Sequence, residues 1–496
     1  MKTFLSAGWH FNTGLKVWLK WIVMLVIHCA VYVQAHAQSF ESNNVKLTSA
    51  FEWAKNKALS LAHDGSDPVG YWYEAALPGR EAFCMRDVSH QAIGAAILGL
   101  NKHNANMFQK MAENISAEKD YCSYWEINRY NQPAPIDYQN DKDFWYNLPA
   151  NFDVVYNLWR LYQWTGDKTY LQHPAFNNFY SLSMNNYVDH WELSYDKVTQ
   201  RSRTLHSSKA NQFGAHRGIP TYNEGGRGET LLGIDLTASM IAAYKAYSEM
   251  LTLKGEPARA TDYLNKAKRE QQFLNDFWWD TQKQEYRSVQ YADQSFDYFN
   301  VGEDQAFLHY LLYFDVVEDQ AQVAKLAAQY RDNYDHLIVE LKSYLPILFY
   351  ENGYSALATQ MIIDLCAVEN ARRDYPENSF TIVEHVTRGL MGVQANAATN
   401  TVSTLPRLAA GDWAEMKELP VLSNLISVKH EALTTSFTNH GGAPLTWRAC
   451  LPGNQNYLYV NGRKRKCDKG IDHNKPYASL TLVVKPGEVL RVSTNK

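Results

Sequence analysis

The stretch L-P-G-R-E-A-F-C-M-R-D-V-S-H-Q, from Leu77 to Gln91, places Arg80, Glu81, Arg86, Asp87, His90 and Gln91 between a Pro-Gly turn and an apolar helix beginning near Val88. Two arginines and two carboxylates at a loop-to-helix junction can form bidentate and charge-assisted hydrogen bonds, which suits a polyhydroxylated ligand. A capped helix start, with Asp87 as N-cap in a local ion pair, is the plainer alternative.

Working outward, the chain keeps a helical texture from about Val45 to about Leu408. Apolar residues recur at i, i+3, i+4 and i+7 in segments such as Val88–Leu100, Phe144–Gln163, Leu231–Leu251, Ala260–Phe277 and Phe380–Val393. About a dozen such segments, joined alternately by short turns and long loops, predict a mainly α fold built as a double ring of helices, the (α/α)6 barrel. No self-similar motif is legible, which counts against a superhelical repeat array. The loops Tyr121–Asp143 and Asp189–Glu229 exceed ordinary connection lengths and are expected to carry function. After Asp412 the pattern turns β-branched and alternating, with Asn461-Gly462 and Pro486-Gly487 as turn signals. The expected organisation is a leader at 1–37, a helical domain at 38–411 and a small all-β sandwich-like domain at 412–496.

The leader rests on Lys16 and Lys20, an apolar run from Trp21 to Val33, and Ala35-His36-Ala37 as an A-x-A site. This pattern is a Sec-type signal peptide cleaved after Ala37, implying a periplasmic or extracellular protein with no stable membrane insertion afterwards. Its removal takes three lysines and no acid, moving the formal charge from −4 to −7. A mildly acidic chain without a basic stripe excludes nucleic acid as the expected partner. The run Arg463-Lys464-Arg465-Lys466 reads as a solvated strand edge. Five cysteines remain, Cys84, Cys122, Cys366, Cys450 and Cys467. Cys450 and Cys467 flank a candidate hairpin and are the best disulfide candidates, the others being apolar fillers. No metal-ligand spacing occurs and no cofactor is implied. The 13% aromatic content suits stacking on sugar faces as well as ordinary cores.

Further clusters carry chemistry-bearing groups. Between Arg217 and Asp235, glycines at 225, 226 and 228 leave Glu224, Arg227 and Glu229 on a sharply turned loop before a helix. A capping loop is one reading; a carboxylate presented to a cleft is the other. Trp125-Glu126 and Trp145 mark one long loop as a site of substrate contacts or as plain surface. Gly302-Glu303-Asp304-Gln305 fits a helix start favoured by the dipole. In Tyr375–His385, Glu384 sits among apolar neighbours, where burial would raise its pKa and fit it for acid or base work, or where it is a satisfied structural group.

Taken together, these residues resemble the six-hairpin (α/α)6 glycosidases, which include trehalase-like and α-L-rhamnosidase-like enzymes. The resemblance rests on Pro78-Gly79-Arg80 with Arg86-Asp87, on Trp164-Thr165-Gly166-Asp167, on Gly233-Ile234-Asp235-Leu236, and on Glu384 before Gly389-Leu390-Met391-Gly392-Val393. It implies a secreted glycoside hydrolase removing terminal sugars, α-linkages included, from polysaccharide-derived oligosaccharides. Two carboxylates would act, with inversion at carbon. By that resemblance Glu229 or Glu224 is the acid and Glu384 the base, while Arg80 and Asp87 hold sugar hydroxyls. Arg86, Trp125, Glu126, Trp145 and Arg227 complete the expected substrate contacts. Two rivals stand beside it: a polysaccharide lyase using Tyr222, His216 and Arg217, and a carbohydrate-binding protein without catalysis.

Overall fold

A computed structural model describes residues 38–202, 217–225, 227–301, 307–431, 433–473 and 475–496. The expected leader, His216 and the Gly302–Gln305 cluster lie outside the described residues.

The helical part places its most apolar helices innermost. Met85–Ile97 and Ile234–Leu253 are buried along almost their whole lengths, as expected of helices covered on every side. Pro257–Phe273 has one buried face and packs that face on Ile234–Leu253. The prolines Pro149, Pro257 and Pro376 open their helices, where a missing N–H costs nothing. Contacts run from helix to helix. Ile234–Leu253 touches Pro149–Thr165, which touches Met85–Ile97, which in turn touches Pro376–Glu384. On the other side Ile234–Leu253 meets His309–Tyr313, which reaches Leu345–Glu351 and then His385–Leu390. Gly94 lets Met85–Ile97 and Pro376–Glu384 cross closely: a Cβ there would lie 2.0 Å from the Phe380 carbonyl oxygen.

The C-terminal part is a pair of sheets. One runs, in spatial order, Ser39–Ser42, Trp413–Val421, Asn424–Glu431, Thr434–Gly441, Val489–Ser493, Tyr457–Val460 and Arg463–Lys466. The other runs Val393–Asn396, Thr401–Thr404, Leu445–Pro452, Lys475–Val484 and Asp468–Asp472. Phe437 of the first sheet stacks on Trp447 of the second at 5.0 Å between ring centroids, joining their inner faces. The β texture therefore starts at Val393, ahead of the expected boundary at 412, and takes one strand from the amino-terminal side: Ser39 pairs with Lys417.

The expected hairpin is present, with Asn461 and Gly462 both at positive φ between its strands. The expected disulfide is not. Cys450 belongs to the five-stranded sheet and directs its thiol at the Arg448 carbonyl, whereas Cys467 directs its own at the Gln455 carbonyl, 3.2 Å away. All five described cysteines are buried free thiols.

Candidate active site

A cavity of about 630 Å³ opens among the loops of the helical part. Short strands build one wall. Ala82–Cys84 pairs antiparallel with Glu126–Asn128, so that Cys84 faces Glu126 and the Arg80 loop lies beside the Trp125 loop. Glu81, at φ 50°, turns the chain between Arg80 and this strand. Arg80 donates to Glu126 Oε2 at 2.7 Å and lies 3.6 Å from Asp137. Burial, together with its hydrogen bond to Glu126, pushes the Asp137 carboxyl up to about 8, so Asp137 keeps its proton at neutral pH.

The floor is the start of Met85–Ile97. Arg86 donates twice to Asp87 Oδ1, at 3.2 and 3.1 Å. Below Asp87 lies Glu377, from the first turn of Pro376–Glu384. Desolvation raises Asp87 well above the usual carboxylate range, and Glu377 adds to this as a like charge. Glu377 is itself pushed up to about 6 by burial. Neither Glu377 oxygen receives an N–H or hydroxyl donor among the described residues, so the pair is satisfied only when one carboxyl retains a proton. His90 Nδ1 stands 3.6 Å from Glu377 on the far side.

The opposite wall comes from the loop before Ile234–Leu253. Asp235 accepts from the Tyr222 backbone N–H at 2.5 Å and from the Thr221 hydroxyl at 2.9 Å, tying this loop to the helix start. Gly233 permits the approach, since a Cβ would meet both Thr221 and Asp235 at 2.4 Å. Tyr222 then lines the cavity, its hydroxyl donating to Asp153. Glu224 follows it and projects into the open space. Desolvation raises its pKa, with Asp137 and Asp87 adding to the rise and Arg86 opposing it. Trp125 and Trp145 supply aromatic surface, the latter fixed by its Nε1–H donating to Asn147 at 2.6 Å.

The structure thus brings Arg80, Arg86, Asp87, Trp125, Glu126, Trp145 and Glu224 to one cavity, and leaves three expected residues elsewhere. Arg227 is exposed and turned outward, donating to Asp297 at 2.9 Å and to Ser295, over the Tyr291 ring. Glu229 is exposed just before strand Thr230–Gly233 and does not line the cavity; its carbonyl accepts from Ala292. Glu384, expected beside Asp87, instead lines a separate cavity of about 200 Å³. It lies two turns beyond Glu377 on the same helix and so points to a different depth. There Arg160 and Arg388 both donate to its Oε1, and against burial, which alone would raise it, they hold its pKa at about 2. Of the lyase candidates, Tyr222 lines the cavity, whereas Arg217 is 2.6 Å from Asp120, away from it. Asp137 and Glu377 were not singled out by sequence. Asp137 sits in a polar loop without periodicity, and a Glu after Tyr375-Pro376 reads as an ordinary helix start.

No protein-family model matches the chain, and no curated protein matches it. Solved structures do. An α-L-rhamnosidase from Dictyoglumus thermophilum is similar at 12% identity and a TM-score of 0.58, over 92% of this chain and 50% of that one. A family 78 rhamnosidase of Bacillus sp. GL1 is similar at 12% identity and 0.51, over 79% and 40%. A sialidase is similar at 11% identity and 0.53, over 89% and 41%. At these identities the similarity is one of fold, shared with these glycosidase structures. The chain spans about half the length of the first of these structures or less.

Proposed function

We propose that the protein is a glycoside hydrolase that removes a terminal sugar by inversion, using two carboxyl groups of the large cavity. One observation carries the reading: Glu224 and Asp87 line one cavity, with Glu377 buried against Asp87, within a fold that glycosidases use. Glu224 is the acid, giving its proton to the departing glycosidic oxygen. The Asp87–Glu377 pair, holding one proton and one negative charge, is the base that takes a proton from the attacking water. Arg80, Glu126 and Asp137 hold sugar hydroxyls, and Trp125 and Trp145 cover the apolar faces of the ring. We read the helix-to-helix contacts as an (α/α)6 barrel around this floor, a reading that their succession from helix to helix supports. The enzyme works after export, consistent with the leader pattern at its amino end, on oligosaccharides or other glycosides carrying the sugar at their terminus.

The test is digestion of a glycoside panel with product identification and anomer analysis by NMR, alongside Glu224→Gln and Asp87→Asn. Cleavage with inverted product is expected, with kcat reduced about 10²- to 10⁴-fold in each variant. A folded protein that binds sugars and cleaves none across the panel is a binding module, and the proposal fails. An unsaturated product would assign a lyase in its place.

A further inference from the structure

Behind the floor of the large cavity two buried polar groups face each other. Glu377 is 1% exposed, and neither of its oxygens receives a donor among the described residues. His90 is 3% exposed and sits one turn beyond Asp87 on Met85–Ile97. Its Nδ1 also lacks a hydrogen-bond partner among the described residues. Nδ1 stands 3.6 Å from Glu377 Oε1. That is about half an ångström beyond hydrogen-bond range, and such contacts at catalytic groups tighten once substrate is bound.

Stacking fixes the plane of the imidazole. The His90 ring lies parallel to that of Tyr344, with 3.4 Å between centroids and 7° between planes. The Tyr344 hydroxyl is in turn tied to that of Tyr310 at 3.0 Å. Burial holds the His90 pKa well below its ordinary value; Glu384 opposes this, and Arg160 and Arg86 add to it. The ring is therefore neutral and carries a single proton, which belongs on the nitrogen that faces an acid.

Other groups surround the two without replacing that donor. Arg86 directs its hydrogen bonds to Asp87, while Glu340 and Arg372 act on Glu377 at longer range. The phenols of Tyr310, Tyr344 and Tyr375 also lie within electrostatic reach of Glu377. His309, His385 and Tyr313 face the His90 ring. None of them donates to Glu377. His90 itself borders the small cavity and not the large one, so it can reach the chemistry only through Glu377.

Resting on the hydrolase reading above, we infer that His90 is a positioning residue for the base: its Nδ1–H holds Glu377 in place and stabilises the negative charge of the Asp87–Glu377 pair before that pair takes a proton from the attacking water.

The experiment takes one glycoside that the wild type cleaves and records kcat, KM and the pH dependence of kcat/KM for His90→Leu and His90→Asn. Leucine removes the donor, whereas the asparagine amide offers one at the place of Nδ1. In His90→Leu, kcat is expected to fall about 10- to 100-fold, with KM held within about threefold. The acid limb of kcat/KM is expected to move up by about one pH unit, because a carboxylate that loses a donor holds its proton more tightly. His90→Asn is expected to recover most of the rate and to return the limb toward its wild-type position. A purely structural role would lower the folded fraction, read by thermal melting, and leave the limb where it was.

An acid limb unmoved in His90→Leu, or equal losses in the two variants, overturns the inference and leaves the hydrolase reading standing. Should His90→Leu not fold, nitrogen NMR of histidine-labelled wild type reads the tautomer directly, with His90→Asn supplying the assignment. A protonated Nδ1 is expected there, and a bare Nδ1 overturns the inference. A wild type that cleaves nothing on the glycoside panel overturns the hydrolase reading, and the role of His90 falls with it.

Discussion

Two of the buried acid sites of the helical part use the same residue types in opposite ratios. At the large cavity Arg86 serves Asp87 and Glu377, and Arg80 serves Glu126 and Asp137, one guanidinium for each pair of carboxyls. At the small cavity Arg160 and Arg388 both serve Glu384, two guanidiniums for one carboxyl. Burial is common to both, and it acts to raise Asp87, Glu377, Asp137 and Glu384 alike. The ratio decides the outcome. Where acids are in excess, Asp87, Glu377 and Asp137 are pushed up and hold protons they can exchange. Where arginines are in excess, the charge stays and the carboxylate is locked. Burial of a glutamate therefore does not mark a catalytic group until its cations are counted.

The largest effect that could break this contrast is expected from Glu384→Gln. Removing that carboxylate leaves two buried guanidiniums without their counter-charge, which costs about 3–5 kcal/mol. Urea melts should register the loss, while turnover per folded molecule should stay within a few-fold of wild type. If turnover vanishes with stability intact, Glu384 belongs to the chemistry and the contrast is wrong. Next comes Gly94→Ala. The helix carrying Asp87 and the one carrying Glu377 and Glu384 meet at Gly94, and overpacking there should cost about 1–3 kcal/mol. Because both sites hang on this crossing, activity should fall along with stability; an unaffected kcat would show that the crossing does not set the floor.

The smallest effect sharpens the contrast through pH. Asp137 is raised from 3.8 to about 8, so the folded state holds a proton that the unfolded state releases. Its contribution to stability therefore falls as pH rises through that window. For Glu384, lowered from 4.5 to about 2, the sign reverses: its contribution is complete above its ordinary value and is lost as pH falls toward 2. Asp137→Asn should flatten the alkaline decline in chemical-denaturation free energy between about pH 4 and pH 8 and leave the acid limb unchanged. An unchanged alkaline limb would mean that Asp137 is not the protonated group.

Much of this was legible in the chain. Helical spacing marked the long helices, Asn461-Gly462 marked its hairpin, and the charge-rich run at Leu77–Gln91 marked one wall and the floor of the cavity. What stayed hidden depended on depth and direction. Glu377 and Glu384 share one helix seven residues apart, and nothing in the one-dimensional pattern says which of them reaches the level of Asp87. Glu224 and Glu229 flank the same glycines, and only the return of the chain into strand Thr230–Gly233 separates a carboxylate in the cavity from one outside it. Cys450 and Cys467 look like partners across a hairpin until their thiols are seen to be directed at two different carbonyls, those of Arg448 and Gln455.

The pairing of Ser39–Ser42 with Trp413–Val421 bears on how such a chain comes to be finished. The earliest strand of the described molecule has no partner until nearly everything else has been synthesised, so a ribosome-bound intermediate must carry that strand unmatched. Completion of the seven-stranded sheet is accordingly a late event, and closing so long a loop makes it a slow one.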